Sequence, residues 1–254
     1  MIYLKKLLLF LSLVLFLFPV CVSAKEYDIS EMYFKATLPD DWYVFTRDNI
    51  KGNETLKEFE ISESYMSSMF TANKAYINAV PQDFGVEFFA IIINTSGINN
   101  LANYPDKMIE DEVFDALNEN LKTAKDVEMS LTKVNDYKYI KVSFYDPSSK
   151  KYIYKYYTVI NSKGYNFQLQ KDTKMNSEDE KILDEIVKTI EIKVLNSKES
   201  SKMQNEINKY NKKSSSIWGK VLIGAIVGAI AGAVGSIIGN KKKKEDNQNL
   251  DNNM

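Results

Sequence analysis

The chain has 254 residues, with 33 Lys and Arg against 34 Asp and Glu, no His and a single Cys. Without imidazole there is no histidine base, triad or metal ligand, and one Cys makes neither an intramolecular disulfide nor a thiolate cluster, so whole classes of hydrolase and zinc protein drop out. The near-neutral total hides a division: residues 25–195 carry 21 basic and 29 acidic side chains, a net −8, against 10 and 5 in residues 196–254. Arg47 is the only Arg, and an acidic body argues against a nucleic-acid partner.

Residues 1–24 read as a signal peptide: Lys5 and Lys6 precede the apolar run Leu7 to Phe18, and Val22-Ser23-Ala24 sets a cut between Ala24 and Lys25. An uncleaved anchor is the alternative. Lipidation at Cys21 is disfavoured because Val20, before the Cys, is not the small residue that lipid attachment wants.

Residues 25–195 read as one domain. Tyr33 to Leu38 and Trp42 to Thr46 are strand-like on either side of Pro39-Asp40-Asp41, which predicts an opening hairpin. A helix is predicted over 62–72, with Tyr65, Met66, Met69 and Phe70 on one stripe, then strands over 75–80 and 86–94. The second strand is apolar on both faces from Phe88 to Ile93 and should be central. The span 104–124 predicts a long helix that begins near Pro105 and buries Met108, Ile109, Val113, Ala116, Leu117 and Leu121. Strands follow over 127–132, 137–145, 152–160 and 165–170. A last helix over 178–189 opens on a capping box of Ser177 and Glu180.

Four-residue loops at Pro147 to Lys150 and Asn161 to Gly164 predict the pairs Tyr145 with Tyr152 and Ile160 with Tyr165. That register places Ile140, Val142, Phe144, Ile153, Tyr157 and Val159 on one face. Tyr137, Tyr139, Tyr145, Tyr152, Tyr154, Tyr156, Ile160, Tyr165, Phe167 and Leu169 take the other. Neither face is cleanly polar, so the expected fold class is α+β: a mostly antiparallel sheet covered by helices on both sides, an α/β/α sandwich.

Beyond the body, residues 196–216 read as a polar linker and residues 217–239 as a transmembrane helix. The apolar run Val221 to Gly239 would be roughly 28 Å long as a helix, against about 30 Å of hydrocarbon. Lys241 to Lys244, in the basic tail 240–254, act as a stop-transfer signal, which predicts a single-pass protein of the cell membrane with its body outside and its C-terminus cytoplasmic. Gly224, Gly228 and Gly232 repeat every fourth residue on one helix face, a pattern suited to a homo-oligomer or to a helix partner in a membrane complex.

The strand and turn Phe34-Lys35-Ala36-Thr37-Leu38-Pro39-Asp40-Asp41-Trp42 resembles the PsbP/Mog1-like sandwich domains and their small secreted relatives in Gram-positive bacteria. The likeness covers the body only. It implies a non-catalytic accessory or binding module, and no partner site transfers with it.

Among candidate sites, the tyrosine-rich face stands first, through Tyr139, Tyr145, Tyr152 and Tyr154. Tyr offers stacking area plus a hydroxyl, suited to a glycan or peptide at the cell envelope, although a covering helix would account for the same residues. Glu110, Asp111, Glu112, Asp115 and Glu119 are spread around a helix without a calcium loop and read as a solvated face. No motif sets a nucleophile beside a base, so the expected function is an accessory or binding domain at the envelope, without cofactor or metal. A carboxylate-based hydrolase and a membrane-active Gly-rich helix protein are the alternatives.

Overall fold

The computed structural model describes residues 23–95 and 98–195. The strands are β1 (Ala24–Ile29), β2 (Phe34–Pro39), β3 (Tyr43–Thr46), β4 (Ala75–Val80), β5 (Glu87–Asn94), β6 (Lys125–Val134), β7 (Tyr137–Asp146), β8 (Lys151–Ile160), β9 (Lys163–Lys171) and β10 (Glu191–Ile192), and runs rich in Tyr, Ile, Val and Phe make β4, β5, β7 and β8. Seven of them make one antiparallel sheet in the order β3-β4-β5-β9-β8-β7-β6, and β1-β2-β10 make a small second sheet. The helices are α1 (Glu54–Glu58), α2 (Glu63–Asn73), α3 (Asp106–Met108), α4 (Asp115–Asn120) and α5 (Ser177–Lys188), with a π-helical segment Ile109–Phe114 joining α3 to α4.

The large sheet is covered on both sides. On one side Met66, Met69 and Phe70 of α2, Ile109 of the π-helical segment and Leu117 of α4 pack on Phe89, Ile91, Ile140, Val142 and Phe144. On the other, Phe34, Ala36 and Leu38 of the small sheet and Leu183, Ile186 and Val187 of α5 pack on Phe88, Ala90, Ile92, Tyr139, Tyr165 and Phe167. The result is an open, non-barrel antiparallel sandwich flanked by helices, with β3 and β6 as its free edges.

Local chemistry accounts for several boundaries. Ser62 Oγ accepts from the Tyr65 N–H at 3.1 Å and starts α2, which ends on Lys74 in the left-handed region. The α5 capping box is made by Asn176 and Asp179, one residue earlier than the expected Ser177 and Glu180. The expected long helix runs through a π-helical turn and ends at Asn120.

The opening hairpin is not formed. Although the Trp42 N–H bonds the Pro39 carbonyl in a tight turn, β2 pairs with β1 and β10 while β3 crosses to the large sheet and pairs with β4. The turn therefore links two sheets. In the β7–β8 hairpin Tyr145 does face Tyr152. In the β8–β9 hairpin Ile160 pairs with Lys163, because Asn161 and Ser162, both at positive φ, make a two-residue loop. The partner moves by two residues, so each side chain keeps the expected face.

The transmembrane part of the expected architecture is corrected. Among the described residues no helix is long and apolar enough to cross a membrane; α5, at twelve residues, would reach only about 18 Å of the roughly 30 Å needed. The single-pass placement at the cell membrane, the body-outside topology, the membrane-mediated partnership and the role as a membrane-anchored envelope accessory therefore have no support among the described residues. The expected segment 217–239, with Gly224, Gly228 and Gly232, lies outside the described residues, as do the linker, the basic tail and residues 1–22 of the expected signal. Ala24 and Lys25, the expected cleavage pair, open β1 and pair with Pro39 and Leu38.

Candidate functional site

The tyrosine face divides into a buried and a half-buried part. Tyr139 and Tyr154 are 0% and 2% exposed beneath α5 and the small sheet. The hydroxyls of Tyr154 and Tyr156 both donate to Asp184 Oδ1 on α5, at 2.9 and 2.7 Å. Lys141 Nζ lies 3.9 Å from the same oxygen and 4.9 Å from the Tyr154 ring centre. Burial pushes the Tyr154 and Tyr156 hydroxyls well above the ordinary range, with Asp184 adding to the effect. Burial raises Tyr139 as well, helped by Tyr137 and Tyr156.

Tyr145 and Tyr152 lie towards the β7–β8 turn, where the face remains half-buried. Their rings face each other across the two strands at 4.7 Å between centres and 45° between planes. The cross-strand neighbours continue the row, Lys125 beside Tyr145 and Lys171 beside Tyr152. Lys125 is exposed, while Lys171 is tied to Asp179 at 2.6 Å. The row therefore presents two aromatic faces with a lysine at the outer end.

A second constellation was not legible as a site. The side of the central strands beneath α2 and the π-helical segment carries a polar strip under an apolar ceiling: Asn78, Glu87, Asn166, Gln168, Gln170 and Lys155 are all at most 4% exposed. Asn78 Nδ2 donates to Glu87 Oε1 at 2.9 Å and Gln170 Nε2 to Glu87 Oε2 at 3.3 Å. The strip continues by donation from Gln168 Nε2 to Gln170 Oε1 at 3.4 Å and from Asn166 Nδ2 to Gln168 Oε1 at 3.3 Å. Lys155 stands opposite Gln168 on β8. Burial pulls its amine down to about 7, with Asp146 acting in the opposite direction. Asn78 Oδ1 and Tyr157 Oη are buried without a hydrogen-bond partner. The alternation Asn166-Phe167-Gln168-Leu169-Gln170 was the available signal, but alternation ordinarily marks a strand with one wet face.

The acidic run on the 106–120 helix is exposed and holds Lys107 against Asp111 at 2.9 Å. Among the described residues no group of three or more His, Cys, Asp or Glu is placed to hold a metal ion. A small cleft between the π-helical segment and the Leu101–Asn103 turn is lined mainly by Ile98, Leu101, Tyr104, Met108 and Val113 and is almost wholly apolar.

These features define an antiparallel sheet domain with both faces covered and a half-open tyrosine pair at one end. Its body is weakly similar in structure to the solution structure of cyanobacterial PsbP (CyanoP) from Synechocystis sp. PCC 6803. The TM-score is 0.42 at 10% identity, over 68% of this chain and 94% of that one. A crystal structure from Bacteroides thetaiotaomicron matches at a TM-score of 0.36 and 14% identity, over 66% of this chain, which spans about half of that protein (48%). No family model and no curated protein matches the sequence.

Proposed function

We propose that this chain is a non-catalytic binding domain whose contact surface is the half-buried pair Tyr145 and Tyr152. The observation that carries the reading is the contrast within one face. Tyr139, Tyr154 and Tyr156 are sealed beneath α5 and the small sheet, whereas Tyr145 and Tyr152 keep part of their rings open on a rigid two-strand frame. A pair of rings held by cross-strand register presents flat apolar area with little conformational entropy left to lose, and its hydroxyls supply direction. Pyranose rings, with apolar faces edged by hydroxyls, fit that chemistry. Of the ionisable groups beside the pair, Lys171 binds Asp179 and Asp146 accepts from the turn serines, which leaves the exposed Lys125 at the rim.

The test is affinity electrophoresis through gels containing soluble polysaccharides, comparing the unaltered chain with the double variant Tyr145→Ser, Tyr152→Ser. Retardation lost in the double variant, with far-UV circular dichroism unchanged, supports the reading. Equal mobility of the two proteins across neutral and acidic polysaccharides overturns it.

A further inference from the structure

Lys155 stands between Ile153 and Tyr157 on the face of β8 beneath α2 and the π-helical segment and has no exposed surface. Its own cross-strand partner on β7 is Val142, yet its Nζ lies 4.9 Å from the ring centre of Phe144, the partner of Ile153. The side chain therefore leans along the sheet towards the β7–β8 turn. Two residues beyond Phe144, on the same face, stands Asp146. Its Oδ1 accepts from the Ser148 N–H at 2.9 Å and the Ser148 hydroxyl at 2.7 Å, and its Oδ2 from the Ser149 hydroxyl at 2.8 Å. Those bonds hold a turn that also places Lys150 at φ 58°.

We propose that Lys155 and Asp146 form a proton-operated latch on the β7–β8 turn. The neutral amine rests on Phe144 while the carboxylate holds the serines; the protonated amine moves past Phe144 to the carboxylate, and the turn loosens. The neighbouring charges do not compete for this role. Lys151 is bound to Asp172 at 2.5 Å, and Glu87 takes bonds from Asn78 and Gln170. Tyr157 is held neutral by burial, and β9 presents the uncharged Gln168 and Gln170. The buried side chains that the helices bring to this core, Met66, Met69, Phe70, Ile109 and Leu117, are apolar, and Glu112 is exposed.

The direction follows from linkage. Burial lowers the amine to about 7 in the closed position, whereas a solvated lysine keeps its ordinary affinity for the proton. Acid therefore favours the loosened turn and alkali the closed one. The latch operates whether or not Tyr145 and Tyr152 hold a ligand.

Amide hydrogen exchange on the full chain, expressed as protection factors at about pH 6 and about pH 8.5, tests the latch. Protection at Ser148 to Lys151 should fall about thirtyfold at the lower pH while Tyr156 and Phe167 keep theirs, and Lys155→Met should abolish the change. An equal loss at Tyr156 and Phe167, or the same turn loss in Lys155→Met, would overturn it. Direct NMR titration of the Lys155 Cε in the unaltered chain serves where Lys155→Met does not fold. A midpoint near 7 supports the latch, and one at the ordinary lysine value refutes it.

Discussion

Replacing Asp184 by Ala removes one acceptor from two buried hydroxyls at once. Tyr154 and Tyr156 are 2% and 4% exposed and both donate to Asp184 Oδ1. A buried donor left without its acceptor costs about 1–3 kcal/mol. The Asp184 side chain is itself 35% exposed, so water entering the vacated space recovers part of that, and the expected loss is about 2–4 kcal/mol in total. For a domain of this size that corresponds to roughly 5–15 °C in melting temperature. Urea unfolding followed by far-UV circular dichroism gives the loss directly. The decisive comparison repeats Asp184→Ala in a chain that also carries Tyr154→Phe and Tyr156→Phe, where no hydroxyl needs the carboxylate and the cost should fall below about 1 kcal/mol. A cost unchanged in that background would mean that α5 is held by packing alone and would refute the reasoning.

Gly164→Ala would set a Cβ 2.8 Å from Cε2 and 2.9 Å from Cζ of Tyr157, an overpacking worth about 1–3 kcal/mol that Tyr157→Ala in the same chain should relieve, as read from urea midpoints. Tyr157→Phe removes a buried hydroxyl that has no partner, so its unfolding midpoint should match or exceed that of the parent; a loss above about 1 kcal/mol would show a bond to that hydroxyl in solution. Lys155 has a folded value of about 7, below its unfolded one, so the unfolded chain binds more protons between the two. Stability should therefore rise by about 2 kcal/mol from about pH 7 to about pH 9, and Lys155→Met should flatten that slope in calorimetry.

Periodicity revealed the strands well where turn chemistry and side-chain pattern agree. Ala75 to Val80 and Tyr137 to Tyr145 are apolar or aromatic runs between turn signals and form strands as expected. β1 carries no strand signal of its own, since Ala24–Ile29 is mostly polar and follows directly on the apolar leader; it becomes a strand by pairing with β2. The partner of β3 was equally out of reach, since Pro39 to Trp42 specifies a turn and not which sheet the chain enters next. At the tyrosine face, sequence register placed the side chains together, but Asp184, which separates sealed tyrosines from half-open ones, comes from a helix about thirty residues away.

By itself the sequence determined the excluded chemistries, the order of most strands and helices, and the two sets of side chains that share each sheet face, because composition and a two-residue period are local properties. Tertiary structure decided which tyrosines stay open, that β2 and β3 belong to different sheets, and that Asn166, Gln168 and Gln170 lie in a dry interior beside Lys155. An alternating strand carries no mark of whether its polar side meets water or another layer. Only the helices folding over it settle that, and with it whether a lysine keeps or surrenders its proton near neutrality.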